Sequence, residues 1–204
     1  AKAYVEENLP ALVETIDGEV VKKYPTSRQE FKFNKATAQP ITLSVQPNER
    51  YAMGGAFTLV DGITAQQKRV STEWLGWKEG VTITVDLGST QDISRINIGA
   101  LNETYSWIHA PKAIEFLVST DGKDYTPIGM ALPTMREIPV IPADPIKRRT
   151  STMARVQGRN AYRVDTAAKA RYVQLKVQHV GPIPAGDPGA GNPAWMFLDE
   201  VVVE

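Results

Sequence analysis

The chain predicts an all-β domain, a sandwich of short strands of the jelly-roll kind, and three observations carry that expectation. Apolar and polar residues alternate with a period of two in several short runs. Glycine (15) and proline (14) are spread along all 204 residues and punctuate those runs. No stretch holds a convincing helical period. Successive side chains of a strand face opposite ways, so alternation marks a segment with one buried face, and Gly/Pro punctuation marks the turns between such segments.

The clearest strand is residues 81–87, where Val81, Ile83, Val85 and Leu87 share one face and Thr82, Thr84 and Asp86 the other. Ile96, Ile98 and Ala100 repeat the pattern, as do Ile114, Phe116 and Val118 ahead of the turn Ser119-Thr120-Asp121-Gly122. Residues 171–178 alternate with Val173, Leu175 and Val177 inward, and residues 195–203 are rich in β-formers. Residues 31–33 and 41–45 read as shorter strands. Residues 161–170 read as a helical turn or two, with Asp165-Thr166 capping Ala167-Ala168-Lys169. Residues 181–194, Gly-Pro-Ile-Pro-Ala-Gly-Asp-Pro-Gly-Ala-Gly-Asn-Pro-Ala, form a long loop, because that composition forbids a helix or central strand. Residues 1–36 have a charged, irregular texture and read as a linker or the remnant of a preceding domain. The domain itself is expected at 37–204.

Lys+Arg and Asp+Glu are both 23, a zero net charge. Phosphate binding needs a basic excess, so nucleic acid is not expected as a partner. There is no cysteine, which excludes disulfides, zinc-thiolate sites and thiol catalysis. No run approaches the roughly 20 apolar residues of a membrane span. The start at Ala1 reads as a fragment of a longer protein. No Walker loop, Gly-x-Gly-x-x-Gly, His-Glu-x-x-His or Gly-x-Ser-x-Gly motif appears, and no catalytic residue stands out.

Six further pieces occur in order from about Thr37 onward. They are Leu59-Val60-Asp61-Gly62; Ser71-Thr72-Glu73-Trp74 with Gly76-Trp77; Val81 to Gly88; Pro111 with Ile114 to Gly122; Ala170-Arg171-Tyr172-Val173; and Trp195 to Val201 around Asp199-Glu200. Together they resemble the discoidin, or coagulation factor 5/8 type C, domain. The resemblance narrows to the carbohydrate-binding C-terminal modules of bacterial β-hexosaminidases and putative chitobiases, on Tyr51-Ala52-Met53-Gly54-Gly55-Ala56-Phe57 and Ala194-Trp195-Met196-Phe197. The chain departs from animal members in having no terminal disulfide, and residues 63–70 look like an insertion.

That resemblance implies a discoidin-like sandwich that is not itself an enzyme. It implies carbohydrate as ligand, of N-acetylhexosamine or galactose type, bound by loops at one end. The partner it implies is the catalytic domain of a parent glycosidase, and the location secreted, periplasmic or cell-surface. A monomer is expected. Two rivals stand: a structural or protein-interaction domain bracing the catalytic unit, and a phospholipid-binding domain, for which loop 181–194 offers few apolar tips or basic residues.

The same resemblance implies a structural calcium held by Asp61 and Glu200, with the Thr58 and Ile63 carbonyls and Thr72 adding neutral oxygens, a donor set that suits a hard cation. The other reading is a strand-end glutamate in water and a turn-capping aspartate. For the sugar, whose ring stacks its apolar face on an aromatic, the candidates are Trp77, Tyr105, Trp107, His109 and Trp195, with Asn102, Glu103 and Asp187 as polar partners. Against this, most tryptophans in a sandwich are core, Trp74 reads as core, and residues 107–109 have a packing role open to them ahead of Pro111. His179, at a strand end, reads as solvent-exposed, and Lys147-Arg148-Arg149 as a solvated loop.

Overall fold

A computed structural model describes residues 13–16, 19–22, 31–52, 54–66, 70–140 and 150–204, the side chains of 13–22, 138–140 and 150–152 excepted. The described elements are almost all strands. β1 (Val13–Ile16) and β2 (Glu19–Lys22) pair antiparallel as a ribbon of their own. The sandwich contains β3 (Ile41–Leu43), β4 (Leu75–Trp77), β5 (Val81–Asn102), β6 (Ala113–Ser119), β7 (Thr126–Ala131), β10 (Gly158–Gln178) and β11 (Met196–Val203). Between β7 and β10 lies a separate hairpin of β8 (Met135–Val140) and β9 (Thr150–Arg155). The basic run Lys147 to Arg149 lies outside the described residues.

The strand order is β4-β11-β5-β10-β6-β7, with β3 also on β5. β5 and β10 are long antiparallel partners whose register breaks between Asp165 and Ala168 and between Ala170 and Tyr172. Such irregularities bend a ribbon and increase its twist. One half of the pair, Val81–Asp86 with Tyr172–Val177, continues into β3, β6 and β7; the other, Gln91–Asn102 with Gly158–Ala170, continues into β11 and β4. The two halves fold face to face over one core. Ile83, Val85, Phe116, Val173 and Leu175 of the first meet Ile96, Ile98, Tyr162, Leu198 and Val201 of the second, and all ten are fully buried. Burial of each such side chain contributes about 1.5–3 kcal/mol, which makes this fold-over the chief source of stability.

Residues 161–170 are strand, not helix. Tyr162 and Ala170 are buried and Val164, Thr166 and Ala168 half-buried, while Ala161, Arg163, Asp165, Ala167 and Lys169 are exposed. The period is two after all. It is muted because three of its inward residues are Thr or Ala, and pairing with β5 outweighs the weak helix preference of the alanines. Residues 31–33 make no strand: Phe31 alone bridges to Ile63, and Phe33 is exposed. Ahead of residue 37 the chain nonetheless packs on the sandwich. The Lys32 N–H donates to Gly62 O, the Lys35 N–H donates to Val203 O, and Ala36 is wholly buried.

Candidate functional site

Two loops meet at the head of β11. The first leaves β5 through Glu103, makes a tight turn at Thr104–Ser106, and holds Trp107 at φ 61°, a left-handed conformation that costs a bulky side chain energy. The second is residues 181–194. Backbone bonds join them: the Trp195 N–H donates to Trp107 O at 2.8 Å and the His109 N–H donates to Trp195 O at 2.8 Å. The long loop folds back on itself through Ile183 N–H to Asn192 O (2.8 Å) and Gly191 N–H to Ile183 O (3.0 Å), with Ile183 buried as its plug. Its tip then reaches Trp107. Gly189 has φ 81°, and a β-carbon there would lie 2.4 Å from the Trp107 ring, so only glycine lets the backbone approach the indole.

This arrangement brings most of the expected sugar residues together. Trp107 is 41% exposed and Tyr105 86% exposed. Glu103 is half-buried; its backbone exchanges bonds with Ile108 and so closes the turn. Asp187 is half-buried, its Oδ2 3.8 Å from His109 Nδ1. Trp195 is half-buried, edge-on to Tyr51 with ring centres 5.0 Å apart, and Lys78 Nζ lies 4.6 Å above its ring. Tyr51 opens one of the motifs that carry the resemblance, but no periodicity or motif marks Lys78; only the fold brings the two to Trp195.

Three expected sugar contacts are corrected by burial. Trp77 is 1% exposed, and its Nε1–H donates to Val45 O, which makes it core. Asn102 is fully buried and ties the loop end inward: its Nδ2 donates to Val156 O and its Oδ1 accepts from the Ala110 N–H. His109 is 1% exposed beneath the long loop, so its ring does not face solvent; burial holds its pKa below the ordinary histidine value, the Asp187 charge opposing. His179 departs from expectation the other way. It is half-buried, its Nδ1 accepting from the Gly181 N–H and its Nε2 bonded to Ala194 O.

The second expected site is a buried corner where the Asp61-Gly62 turn meets β11. Glu200 is 2% exposed, which excludes the reading of a strand-end glutamate in water. Its Oε1 accepts from the Gly62 N–H (3.1 Å) and from Asn34 Nδ2 (3.3 Å), while Oε2 is buried with no partner. Asp61, which interacts directly with Glu200, accepts from the Ile63 N–H through Oδ1. Burial pushes both carboxyls well above the carboxylate range, and the charge of Asp61 pushes Glu200 further. A buried carboxyl and the half-buried one beside it cannot both ionise cheaply unless a cation joins them. Thr58 is buried beside the turn, Ile63 follows it, and Thr72 is exposed on the helical turn Val70–Glu73. An orphaned carboxylate oxygen beside a second carboxyl fits a hard cation. Among the described residues no three Asp, Glu or His side chains gather as a metal cluster, so further donors here would be neutral oxygens. Asp199, next along the strand, is instead paired with Arg159 at 2.6 and 3.1 Å.

The family profile described as F5/8 type C domain matches residues 40–191. No curated protein is similar enough to count as a match. Several solved structures are similar. A chitosan-binding module from a chitosanase/glucanase of Paenibacillus sp. IK-5 shares 18% identity and a TM-score of 0.49, covering 84% of this chain and 98% of that one. A Streptococcus pneumoniae fucose-binding module shares 14% identity and a TM-score of 0.48, covering 84% and 94%. A Clostridium perfringens module in complex with GalNAc-β-1,3-galactose shares 16% identity and a TM-score of 0.46, covering 81% and 94%. No helix among the described residues is long and apolar enough to cross a membrane.

Proposed function

Since the chain belongs to the F5/8 type C family, we propose that it is a non-catalytic carbohydrate-binding domain whose sugar site is the loop face around Trp107. The observation that carries this reading is Trp107 itself: a large aromatic ring 41% exposed, in a strained backbone conformation, braced by a glycine from a second loop. An exposed ring held at such cost suits a platform for the apolar face of a pyranose, and strain of this kind collects at binding sites. Tyr105 extends the platform. Glu103 and Asp187 offer acceptors to sugar hydroxyls, and Lys78 beside Trp195 offers a donor.

The ligand is an N-acetylhexosamine- or galactose-type sugar, and the domain serves a parent glycosidase of the β-N-acetylhexosaminidase or chitobiase kind, outside the cytoplasm. Holding a catalytic domain on its glycan raises the effective concentration of substrate. Calcium belongs to the buried corner, held by Asp61 and Glu200 with oxygens of Thr58, Ile63 and Thr72. Its contribution would be charge neutralisation that locks the Asp61-Gly62 turn to β11; the sugar would be bound by the loop face.

A glycan array probed with and without chelator tests the reading. The expected result is weak binding, roughly micromolar to millimolar, because a monosaccharide buries few atoms. No binding to any glycan, with the chain shown to be folded, would return the domain to a structural role. Chromogenic N-acetylhexosaminides should show no turnover above background.

A further inference from the structure

One of the two histidines grips the neck of the 181–194 loop in its neutral form, and the other lies buried beneath the same loop. The neck of the loop is Gly181 facing Ala194, where Pro182 and Pro193 bridge. The His179 ring spans it: Nδ1 accepts the Gly181 N–H at 2.9 Å, and Nε2 lies 3.2 Å from Ala194 O. Those two bonds require one species, a neutral imidazole with its proton on Nε2. A proton on Nδ1 would face the Gly181 N–H and break the bond. His109 lies under the same loop, 1% exposed, its Nε2 without a partner and its Nδ1 3.8 Å from Asp187 Oδ2. That separation is too long for a hydrogen bond, so charging the ring in place would bury a weakly compensated cation.

We propose that His179 is the positioning residue of a pH-sensitive latch: neutral, it holds the 181–194 loop closed against Trp107 with His109 uncharged beneath, and on acidification the two rings take up protons and the loop is released. The consequence for sugar binding rests on the carbohydrate reading above; the latch itself does not.

The charges facing each ring divide. Glu79 favours a proton on His179. Asp187 favours one on His109, while Arg155 and His179 oppose it. Burial is the largest influence on both and outweighs the carboxylates, so both rings stand below the ordinary histidine pKa. An open loop would return each ring to water and to a pKa near 6.5. The closed loop is therefore fully favoured above that value and loses ground as pH falls through it. Two protons are taken up on opening, which limits the change to about a hundredfold per pH unit.

Nuclear magnetic resonance on the full chain, isotope-labelled and titrated from pH 8 to 5, reads the latch directly. At pH 7.5 the His179 ring should be the Nε2–H tautomer; the Nδ1–H tautomer would overturn the assignment without any variant. The amides of Gly181 and Gly189 and the indole N–H of Trp107 should shift together below about pH 6.5. The core amides of Ile83 and Val85 should stay fixed. His179→Gln should reduce the proton uptake of that transition, with His109→Gln as the companion variant if the first folds poorly. Loop signals that stay put down to pH 5 while the core remains folded would sink the latch. The affinity for N-acetylgalactosamine or N-acetylglucosamine should fall about tenfold or more between pH 7.5 and 5. A chain that binds neither sugar at pH 7.5 yet opens its loop in acid would support the latch and count against the carbohydrate reading. Unchanged sugar affinity with a stationary loop would overturn the latch alone.

Discussion

At the head of β11, Trp195 is joined to Trp107 and His109 by backbone hydrogen bonds, and Trp107, Tyr105 and Trp195 itself are exposed or half-buried. Further along the same strand, Asp199 and Glu200 stand inside the protein, held by Arg159, Asn34, Gly62 and Asp61. One region is shaped by main-chain bonds and glycines, so its side chains are free to meet a ligand. The other is shaped by buried charge, so its side chains are needed to keep the strand where it is. The difference teaches where function has latitude: loop aromatics can change with small effects on stability, while the carboxylates beneath them cannot.

The largest effects should come from the buried region. Arg159→Met leaves Asp199 ionisable and unpaired inside the fold, and should cost about 3–5 kcal/mol in urea unfolding. Trp77→Ala, which empties a core position, should cost a similar amount, about 3–5 kcal/mol. A loss under about 1 kcal/mol for either would break the contrast with the loop face.

Metal exchange sharpens the comparison at intermediate size. If calcium bridges Asp61 and Glu200, adding it at about 100 times its dissociation constant should stabilise the fold by about 2.7 kcal/mol, and chelator should reverse the effect. Glu200→Gln should abolish that response. A melting temperature indifferent to both calcium and chelator would leave the orphaned carboxylate oxygen to another explanation.

At the loop face the expected stability change is small and the functional change large. Trp107→Ala should alter unfolding by less than about 1 kcal/mol, since the ring is partly exposed, yet weaken sugar binding about tenfold. A stability loss like that of Trp77→Ala with unchanged sugar affinity would move Trp107 into the structural class.

The smallest effect concerns Asp86 and Arg171, paired at 2.7 and 2.8 Å on the outer face. The Arg171 guanidinium holds the Asp86 carboxyl below its ordinary value. The pair therefore contributes stability above the usual aspartate range and loses it as pH falls through the lowered value. Because both side chains are partly exposed, Arg171→Met should lower stability in urea unfolding only slightly at pH 7, and the difference should vanish in acid.

The sequence by itself determined the fold class and the strands at 81–87, 114–118 and 171–178, because large apolar residues at every second position can be satisfied only by one buried sheet face, and the strand at 195–203 through its richness in β-formers. It also nominated the segments that meet at the loop face, through the Pro/Gly composition of 181–194 and the aromatics near Trp107. Only the tertiary structure decided that residues 161–170 are strand, since alanine and threonine pointing inward leave too faint a period and their partner in β5 lies far away in the chain. Only the tertiary structure separated Trp77 from Trp107: exposure depends on what covers a strand end, and the covering residues come from elsewhere. The same holds for His179. Its two hydrogen bonds join the ends of a loop, and nothing local to residue 179 records that the chain returns there.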